Sequence, residues 1–164
     1  MSEPAPQVPD PQLDLVFERL VDLPPELIWR AWTTPGLITQ WFTPAPWKTV
    51  ACELDLRPGG RFLTVMQSPE GEDFPMEGCY LEVVPKERLV WTNALGAEYR
   101  PAVTAGHAPC ITAIISLTPQ GSGTRYTAMA LHQDAAARAA HAAMGFQEGW
   151  GKALDQLVTL MKGQ

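Results

Sequence analysis

Residues 134–161 read DAAARAAHAAMGFQEGWGKALDQLVTLM, and this stretch decides how the preceding residues must pack. Asp134 is a favourable N-cap residue, and the alanine-rich run after it contains no helix breaker. Large apolar side chains then recur at steps of four, three and four residues and share one face: Trp150, Leu154, Leu157 and Met161. We predict one continuous amphipathic helix of about 28 residues, about 40 Å long.

Three glycines interrupt the middle of this predicted helix: Gly145, Gly149 and Gly151. Each one costs about 1 kcal/mol relative to alanine in a helix interior, so a compensating contact is expected. We predict that the helix backbone approaches a sheet closely at these positions, and a contact with a ligand is the alternative.

A helix with one apolar face needs a surface to cover, and the preceding residues predict a sheet. From Leu13 onward, Leu15, Phe17 and Val21 alternate with acidic residues, as in a half-buried strand. Turn residues separate six further predicted strands, at residues 48–56, 61–66, 76–84, 88–93, 111–117 and 124–132. Short strands joined mostly by short turns indicate one antiparallel sheet.

Two short helices are predicted between the first strand and the second. Pro24 and Pro25 suit the first turn of a helix, and apolar residues follow them at helical spacing. Thr34 and Pro35 repeat the start signal, an N-cap residue followed by proline. The second helix should therefore run to about Trp41.

Composition narrows the class of protein. A hydrophobic content of 46% predicts a globular domain over residues 13–162, after a proline-rich, disordered tail at residues 1–12. The net charge is −6 and the basic residues are scattered, so we expect no nucleic-acid partner. Neither an apolar run of about 20 residues nor a secretory signal is present, so we expect a cytoplasmic protein without membrane insertion. Cys52, Cys79 and Cys110 lack metal-ligand spacing, and we expect reduced cysteines within strands.

Several motifs in fixed order resemble the AHSA-type family, named after the activator of heat-shock protein 90 ATPase. In chain order they are Arg19, residues 25–35 (PELIWRAWTTP), Trp41, residues 55–62 (DLRPGGRF), residues 78–92 (GCYLEVVPKERLVWT), and His141, Gly149, Trp150 and Leu154 in the last helix. The order of the predicted elements also resembles that of the START-like superfamily (SRPBCC, Bet v-type helix-grip).

This resemblance implies an α+β helix-grip fold, in which a curved antiparallel sheet of six to seven strands surrounds a long C-terminal helix. Two short helices would follow the first strand, and a cavity would lie between the sheet and the long helix. Relatives include lipid carriers and polyketide cyclases, so the fold alone does not fix the function.

Large flat and flexible side chains suit an apolar ligand of variable shape. The residues predicted to contact a ligand are Arg19, Trp41, Phe62, Trp91, Tyr99, Met129, His132, Met144 and Trp150. The alternative is that the aromatic residues among them only form the core, since a pocket in this fold continues the core.

The segment from Leu95 to Pro109 is longer than an ordinary hairpin loop and carries Tyr99, Arg100 and His107. Loops of this length are often functional, so we predict a lid over the cavity mouth. A disordered insertion is the alternative.

Arg19 interrupts the apolar face of the first strand, where an unpaired charge would be costly. Three interpretations stay open: the side chain extends to solvent, it pairs with a carboxylate such as Glu53 or Glu82, or it binds an anionic ligand. A structural ion pair is the favoured interpretation.

His132 and His141 could both reach one end of the cavity, where a neutral imidazole can act as an acid or a base. We favour hydrogen-bonded histidines over catalysis, since no nucleophile or known catalytic motif accompanies them. His132 and Glu82 are the weak candidates for proton carriers. We expect no metal site and no cofactor.

The favoured hypothesis is therefore a binding protein for a small hydrophobic or amphipathic molecule. An enzyme of the polyketide cyclase or dehydratase type would use the same cavity, and a chaperone-associated interaction module would not need one. A homodimer is left open. The first two hypotheses require that the space beneath the last helix is not filled.

Overall fold

The computed structural model describes residues 8–102 and 109–163 of the chain. The strands are β1 Asp14–Val21, β2 Lys48–Leu54, β3 Arg61–Gln67, β4 Asp73–Val84, β5 Arg88–Thr92, β6 Leu95–Gly96, β7 Arg100–Pro101, β8 Thr112–Gln120 and β9 Gly123–Leu131. The helices are α1 Pro25–Thr33, α2 Pro35–Trp41, α3 Ala135–Ala143 and α4 Phe146–Lys162.

Seven strands form one curved antiparallel sheet in the order β1-β9-β8-β5-β4-β3-β2. Strands β6 and β7 form a separate two-stranded hairpin between β5 and β8. Because β1 and β2 are the two edge strands, α1 and α2 carry the chain from one edge of the sheet to the other. The predicted α+β helix-grip fold, with two short helices after the first strand, is confirmed.

Part of the predicted disordered tail, residues 1–7, lies outside the described residues. Residues 11–13 form a turn before β1, in which Asp14 accepts a hydrogen bond at Oδ2 from the Asp10 backbone N–H, at 2.8 Å. The predicted boundary between the tail and the domain, at residues 12 and 13, stays a prediction.

The main core lies between the concave face of the sheet and the helices. Phe17, Ile115 and Tyr126 on β1, β8 and β9 belong to the same buried cluster as Leu154 and Leu157 of α4. Full burial of one such aliphatic side chain contributes about 1.5–3 kcal/mol. The apolar stripe identified in the sequence is therefore what holds α4 on the sheet.

The prediction of one continuous C-terminal helix is wrong, because α3 ends at Ala143 and α4 begins at Phe146. Gly145 between them has φ of 88°, in the left-handed region that an α-helix of L-residues does not use. Asp134 caps α3 as predicted, since its Oδ1 accepts a hydrogen bond from Ala137 N at 2.8 Å. The last segment is thus two helices joined at a glycine.

The other two glycines of this segment differ in their surroundings. A Cβ atom on Gly151 would lie 3.0 Å from Arg19 Nη2 and 3.6 Å from the Phe17 ring, so α4 does approach β1 closely there. A Cβ atom on Gly149 would meet no atom of the described residues within 4 Å. The predicted close approach therefore holds at Gly151 and not at Gly149.

Substitution of Gly145 by alanine tests the break between α3 and α4. We expect Gly145→Ala to lower the free energy of unfolding by about 1–2 kcal/mol, because an L-residue is strained at that φ. Gly149→Ala, the matched control inside α4, should raise it by up to about 1 kcal/mol. Urea unfolding followed by circular dichroism measures both changes. Stabilisation by Gly145→Ala would mean that the helix is continuous.

Candidate functional site

A cavity of about 410 Å³ lies between the concave face of the sheet and the helices α3 and α4. Phe62 and Trp91 line it from the sheet, and Gly149 and Trp150 line it from α4. Gly78, paired with Phe62 across β3 and β4, also lines it. Two of these positions carry no side chain, which keeps open space under the helix.

The end of α2 forms a third wall of the cavity and is held firmly to α4. Gln156 Nε2 donates hydrogen bonds to the backbone oxygens of Trp41 and Thr43, each at 2.9 Å. The Trp41 indole N–H donates to the Ala31 oxygen at 3.0 Å. These bonds fix Trp41, whose ring lines the cavity, in one position.

Trp32 of α1 is the centre of an aromatic cluster in the wall of the cavity. Its ring centroid lies 4.9 Å from that of Trp41, 5.6 Å from Phe42, 5.3 Å from Trp91 and 6.3 Å from Trp150. Trp32 is only 2% exposed. Trp32 is not among the residues predicted for the site, because its helical spacing from Ile28 is equally typical of a core residue.

Flexible side chains also line the cavity. Met66 and Met76 extend from β3 and β4, and Met144 lies at the junction of α3 and α4. Met144 is 63% exposed. Methionine adapts its shape to a partner, which suits a cavity that accepts ligands of differing shape.

The structure brings together some of the predicted site residues and separates others. Those that line the cavity are Trp41, Phe62, Trp91, Met144 and Trp150. Those that do not line it are Arg19, Tyr99, Met129 and His132. Lining residues that the prediction missed include Trp32, Phe42, Thr64 and Phe146.

Met129 faces the opposite side of the sheet from the cavity, which corrects its predicted position. It packs with Val90 and Ile114 in a separate apolar cluster. Its neighbours Ala128 and Ala130 belong to the main core instead. Because both faces of β9 carry apolar residues, alternation in the sequence could not identify the inner face.

Arg19 forms an ion pair, but not with either of the carboxylates named as examples. Its Nη1 lies 2.6 Å from Asp155 Oδ1 on α4, and its guanidinium lies 5.2 Å from the Phe17 ring centroid. Glu53 and Glu82 pair instead with neighbouring arginines, Arg61 and Arg88. Arg19 therefore helps to attach α4 to the edge strand and does not line the cavity.

Glu82, a weak candidate for a proton carrier, lies away from the cavity. It pairs across β4 and β5 with Val90, which packs on the far face of the sheet. Its carboxylate contacts Arg88 Nε at 3.1 Å. This position does not allow Glu82 to act on a molecule inside the cavity.

The predicted lid is described only in part. Its first residues form the β6–β7 hairpin. The Glu98 carboxylate pairs with Arg57, and the Glu98 backbone N–H donates a hydrogen bond to the Gly59 oxygen at 2.7 Å. Tyr99 is half-exposed on this hairpin and does not line the cavity. His107 lies outside the described residues, and closure of the cavity by this segment stays a prediction.

The two histidines of the C-terminal region contact each other directly. His132 Nδ1 lies 2.7 Å from the Leu13 backbone oxygen, and His132 Nε2 lies 2.8 Å from His141 Nδ1. Both residues are buried, and His141 lines the cavity beside Phe146. The favoured interpretation, hydrogen-bonded histidines, describes this geometry.

Acid should destabilise the protein through His141. Burial, and then the neighbouring His132, lowers the pKa of His141 from 6.5 to about 4. The unfolded chain therefore takes up a proton at higher pH than the folded chain does. The contribution of neutral His141 to the free energy of unfolding is complete above pH 6.5 and is lost as the pH falls towards about 4.

We expect this loss to amount to about 2–3 kcal/mol between pH 6.5 and 4. His141→Asn is the matched control, because asparagine does not titrate and its amide can still donate to His132. The substitution changes no carboxylate, so the difference between the two proteins in urea unfolding at several pH values isolates the histidine. Parallel stability curves for the two proteins would contradict the expectation.

A metal centre and a membrane-spanning helix are both absent from the described residues. Within residues 8–102 and 109–163, no three His, Cys, Asp or Glu side chains are grouped closely enough to hold a metal ion. In the same residues no helix has the length and apolar character needed to cross a bilayer.

Cys52 and Cys79 lie in strands as predicted, whereas Cys110 is exposed and precedes β8.

Residues 22–162 match the family described as "Activator of Hsp90 ATPase homolog 1-like protein". A solved structure of a protein from Nitrosomonas europaea is 51% identical, with 94% of this chain and 97% of that chain covered and a TM-score of 0.89. A protein from Rhodobacter sphaeroides shares the fold at 23% identity, with 95% and 97% covered and a TM-score of 0.81. A protein from Mycobacterium smegmatis shares it at 24% identity, with 91% and 90% covered and a TM-score of 0.74. No curated protein has significant sequence similarity to the chain.

Proposed function

The chain belongs to the family of Activator of Hsp90 ATPase homolog 1-like proteins, and from this premise we propose that it binds a small hydrophobic or amphipathic molecule in the cavity between its sheet and its C-terminal helices. Binding would remove the apolar surface of the ligand from water, which contributes about 25 cal/mol per Å².

The observation that carries this proposal is the cavity itself. Its volume of about 410 Å³ lies within the range of about 300–1,000 Å³ that is usual for small-molecule sites. Aromatic rings from three different elements, Trp41, Trp91 and Trp150, line it, and methionines line it as well. Such a lining offers a large contact area to an apolar guest and few polar groups.

The same geometry favours binding over acid–base catalysis. The histidine pair is backed by the backbone oxygen of Leu13 and not by a carboxylate that would stabilise an imidazolium ion. The pKa of His141 is lowered to about 4, which makes it a weak base at neutral pH. Glu82 lies on the far face of the sheet, so its carboxylate cannot act as a second proton carrier in the cavity.

Isothermal titration calorimetry with two apolar probes, 1-naphthol and 1-methoxynaphthalene, tests the proposal. We expect saturable binding of one probe molecule per chain with a negative change in heat capacity, as burial of apolar surface requires. Absence of saturable binding for both probes up to their solubility limits would contradict the proposal. Conversion of a bound probe during the titration would favour the cyclase-type enzyme instead.

A further inference from the structure

The Leu13 oxygen determines which ring nitrogens of the histidine pair carry hydrogen. A carbonyl oxygen can only accept a hydrogen bond, so His132 Nδ1, 2.7 Å away, must be the N–H donor. In a neutral imidazole the second nitrogen then has no hydrogen, so His132 Nε2 is an acceptor. The hydrogen in the 2.8 Å contact must therefore come from His141 Nδ1.

This assignment leaves His141 Nε2 as a nitrogen with a free lone pair. The pKa of His141 is lowered to about 4, so the ring is neutral at pH 7 and carries no second hydrogen. The two nitrogens of an imidazole point to roughly opposite sides of the ring. Because Nδ1 faces His132, Nε2 faces away from it, and His141 lines the cavity.

Two other polar side chains of the cavity wall, Asn93 and Glu77, already have partners. Asn93 donates from Nδ2 to the Pro109 oxygen at 2.7 Å and accepts at Oδ1 from the Ile111 N–H at 2.8 Å. Glu77 pairs with Arg61 at 3.3 Å. Among the described residues, His141 Nε2 makes no hydrogen bond of its own.

We propose that His141 Nε2 is a fixed hydrogen-bond acceptor in the cavity and that it selects apolar ligands carrying a hydroxyl or other hydrogen-bond donor. This inference rests on the proposed binding function and specifies its chemistry. A ligand with only acceptor groups would leave the lone pair of Nε2 unpaired in an apolar site, which is unfavourable. The ligand class is therefore an apolar alcohol, phenol or secondary amide.

The probes 1-naphthol and 1-methoxynaphthalene differ in whether they can donate a hydrogen bond. The hydroxyl of 1-naphthol donates a hydrogen bond, whereas the methyl ether of 1-methoxynaphthalene can only accept one. At pH 7.5 we expect 1-naphthol to bind about tenfold more tightly or better, the usual effect of one additional hydrogen bond in such a site. In His141→Asn the ratio should fall below about threefold, because asparagine is too short to present an acceptor at the position of Nε2.

The outcomes separate this inference from the proposed function. If neither probe binds, the proposed function fails and the inference fails with it. If both bind the wild-type protein with equal affinity, the cavity binds ligands but the acceptor at His141 does not select them. If the preference for 1-naphthol persists in His141→Asn, the acceptor lies elsewhere and the inference is wrong.

A second measurement does not depend on the folding of any variant. Long-range ¹⁵N–¹H correlation spectra of the wild-type protein distinguish the two tautomers of each histidine. We expect the hydrogen on Nδ1 of both His132 and His141, with Nε2 of His141 unprotonated at pH 7.5. A hydrogen on Nε2 of His141 would overturn the inference.

Discussion

Trp32→Ala should lower the free energy of unfolding by about 3–5 kcal/mol, the cost typical of removing a large aromatic side chain from a core. The indole of Trp32 is 2% exposed and contacts four other aromatic rings, on α2, β5, α4 and the segment after α2. Its removal would leave a void where these elements meet. Because the rings of this cluster also line the cavity, the void would change the shape of the site as well.

Urea unfolding followed by far-ultraviolet circular dichroism measures this effect without relying on tryptophan fluorescence. Trp29→Ala is the matched control, since Trp29 lies on the same helix but is only half-buried. We expect the control to cost clearly less than Trp32→Ala. Equal losses for both variants, or a loss below about 1.5 kcal/mol for Trp32→Ala, would mean that Trp32 is not the centre of the cluster.

Gly149→Phe should weaken the binding of 1-methoxynaphthalene by about tenfold or more. Gly149 lies on the cavity-lining stripe of α4, between Phe146 and Ala153. A Cβ atom there meets no described atom within 4 Å, so a larger side chain has room to enter the cavity. A benzyl group in this position would occupy the space proposed for the ligand.

Gly149→Ala separates occupation of the cavity from damage to the helix. Alanine adds one methyl group and improves helix propensity, so this variant should be more stable and retain binding. Phenylalanine is also a better helix former than glycine, so Gly149→Phe should remain folded. Wild-type affinity in a folded Gly149→Phe protein would place the ligand outside the cavity.

The sequence predicted the fold because its signals are local. Turn residues such as Pro58, Gly59 and Gly60 separate β2 from β3, and alternation marks the inner face of β1. The apolar stripe of α4 at Leu154 and Leu157 indicated which surface covers the sheet. These features depend on neighbours in the sequence and not on the rest of the fold.

The parts that the sequence did not predict depend on contacts between distant segments or on competing signals. Arg19 and Asp155 are 136 residues apart, and no local sequence pattern around either residue predicts their contact. The break at Gly145 could have been recognised from the glycine that commonly follows the end of a helix, but the surrounding helical pattern outweighed it. Met129 was placed on the wrong face because β9 is apolar on both faces.

The candidate site, like the fold, could be predicted from the sequence only in part. Trp41, Trp91 and Trp150 could be identified as a group because large aromatic residues at strand and helix spacing point to the interior. The contact between His132 and His141 could not, because it depends on how the end of β9 meets α3. Which of the two histidines donates the hydrogen bond depends further on the Leu13 oxygen, a backbone atom that no sequence pattern identifies.

The most direct test of ligand binding in the cavity is a crystal structure of the protein in complex with 1-naphthol. We expect the naphthyl ring to lie between Trp91 and Trp150, with its hydroxyl within hydrogen-bonding distance of His141 Nε2. A naphthol molecule bound only on the outer surface of the protein, while the space beneath α4 stays empty at saturating concentration, would contradict the proposed function.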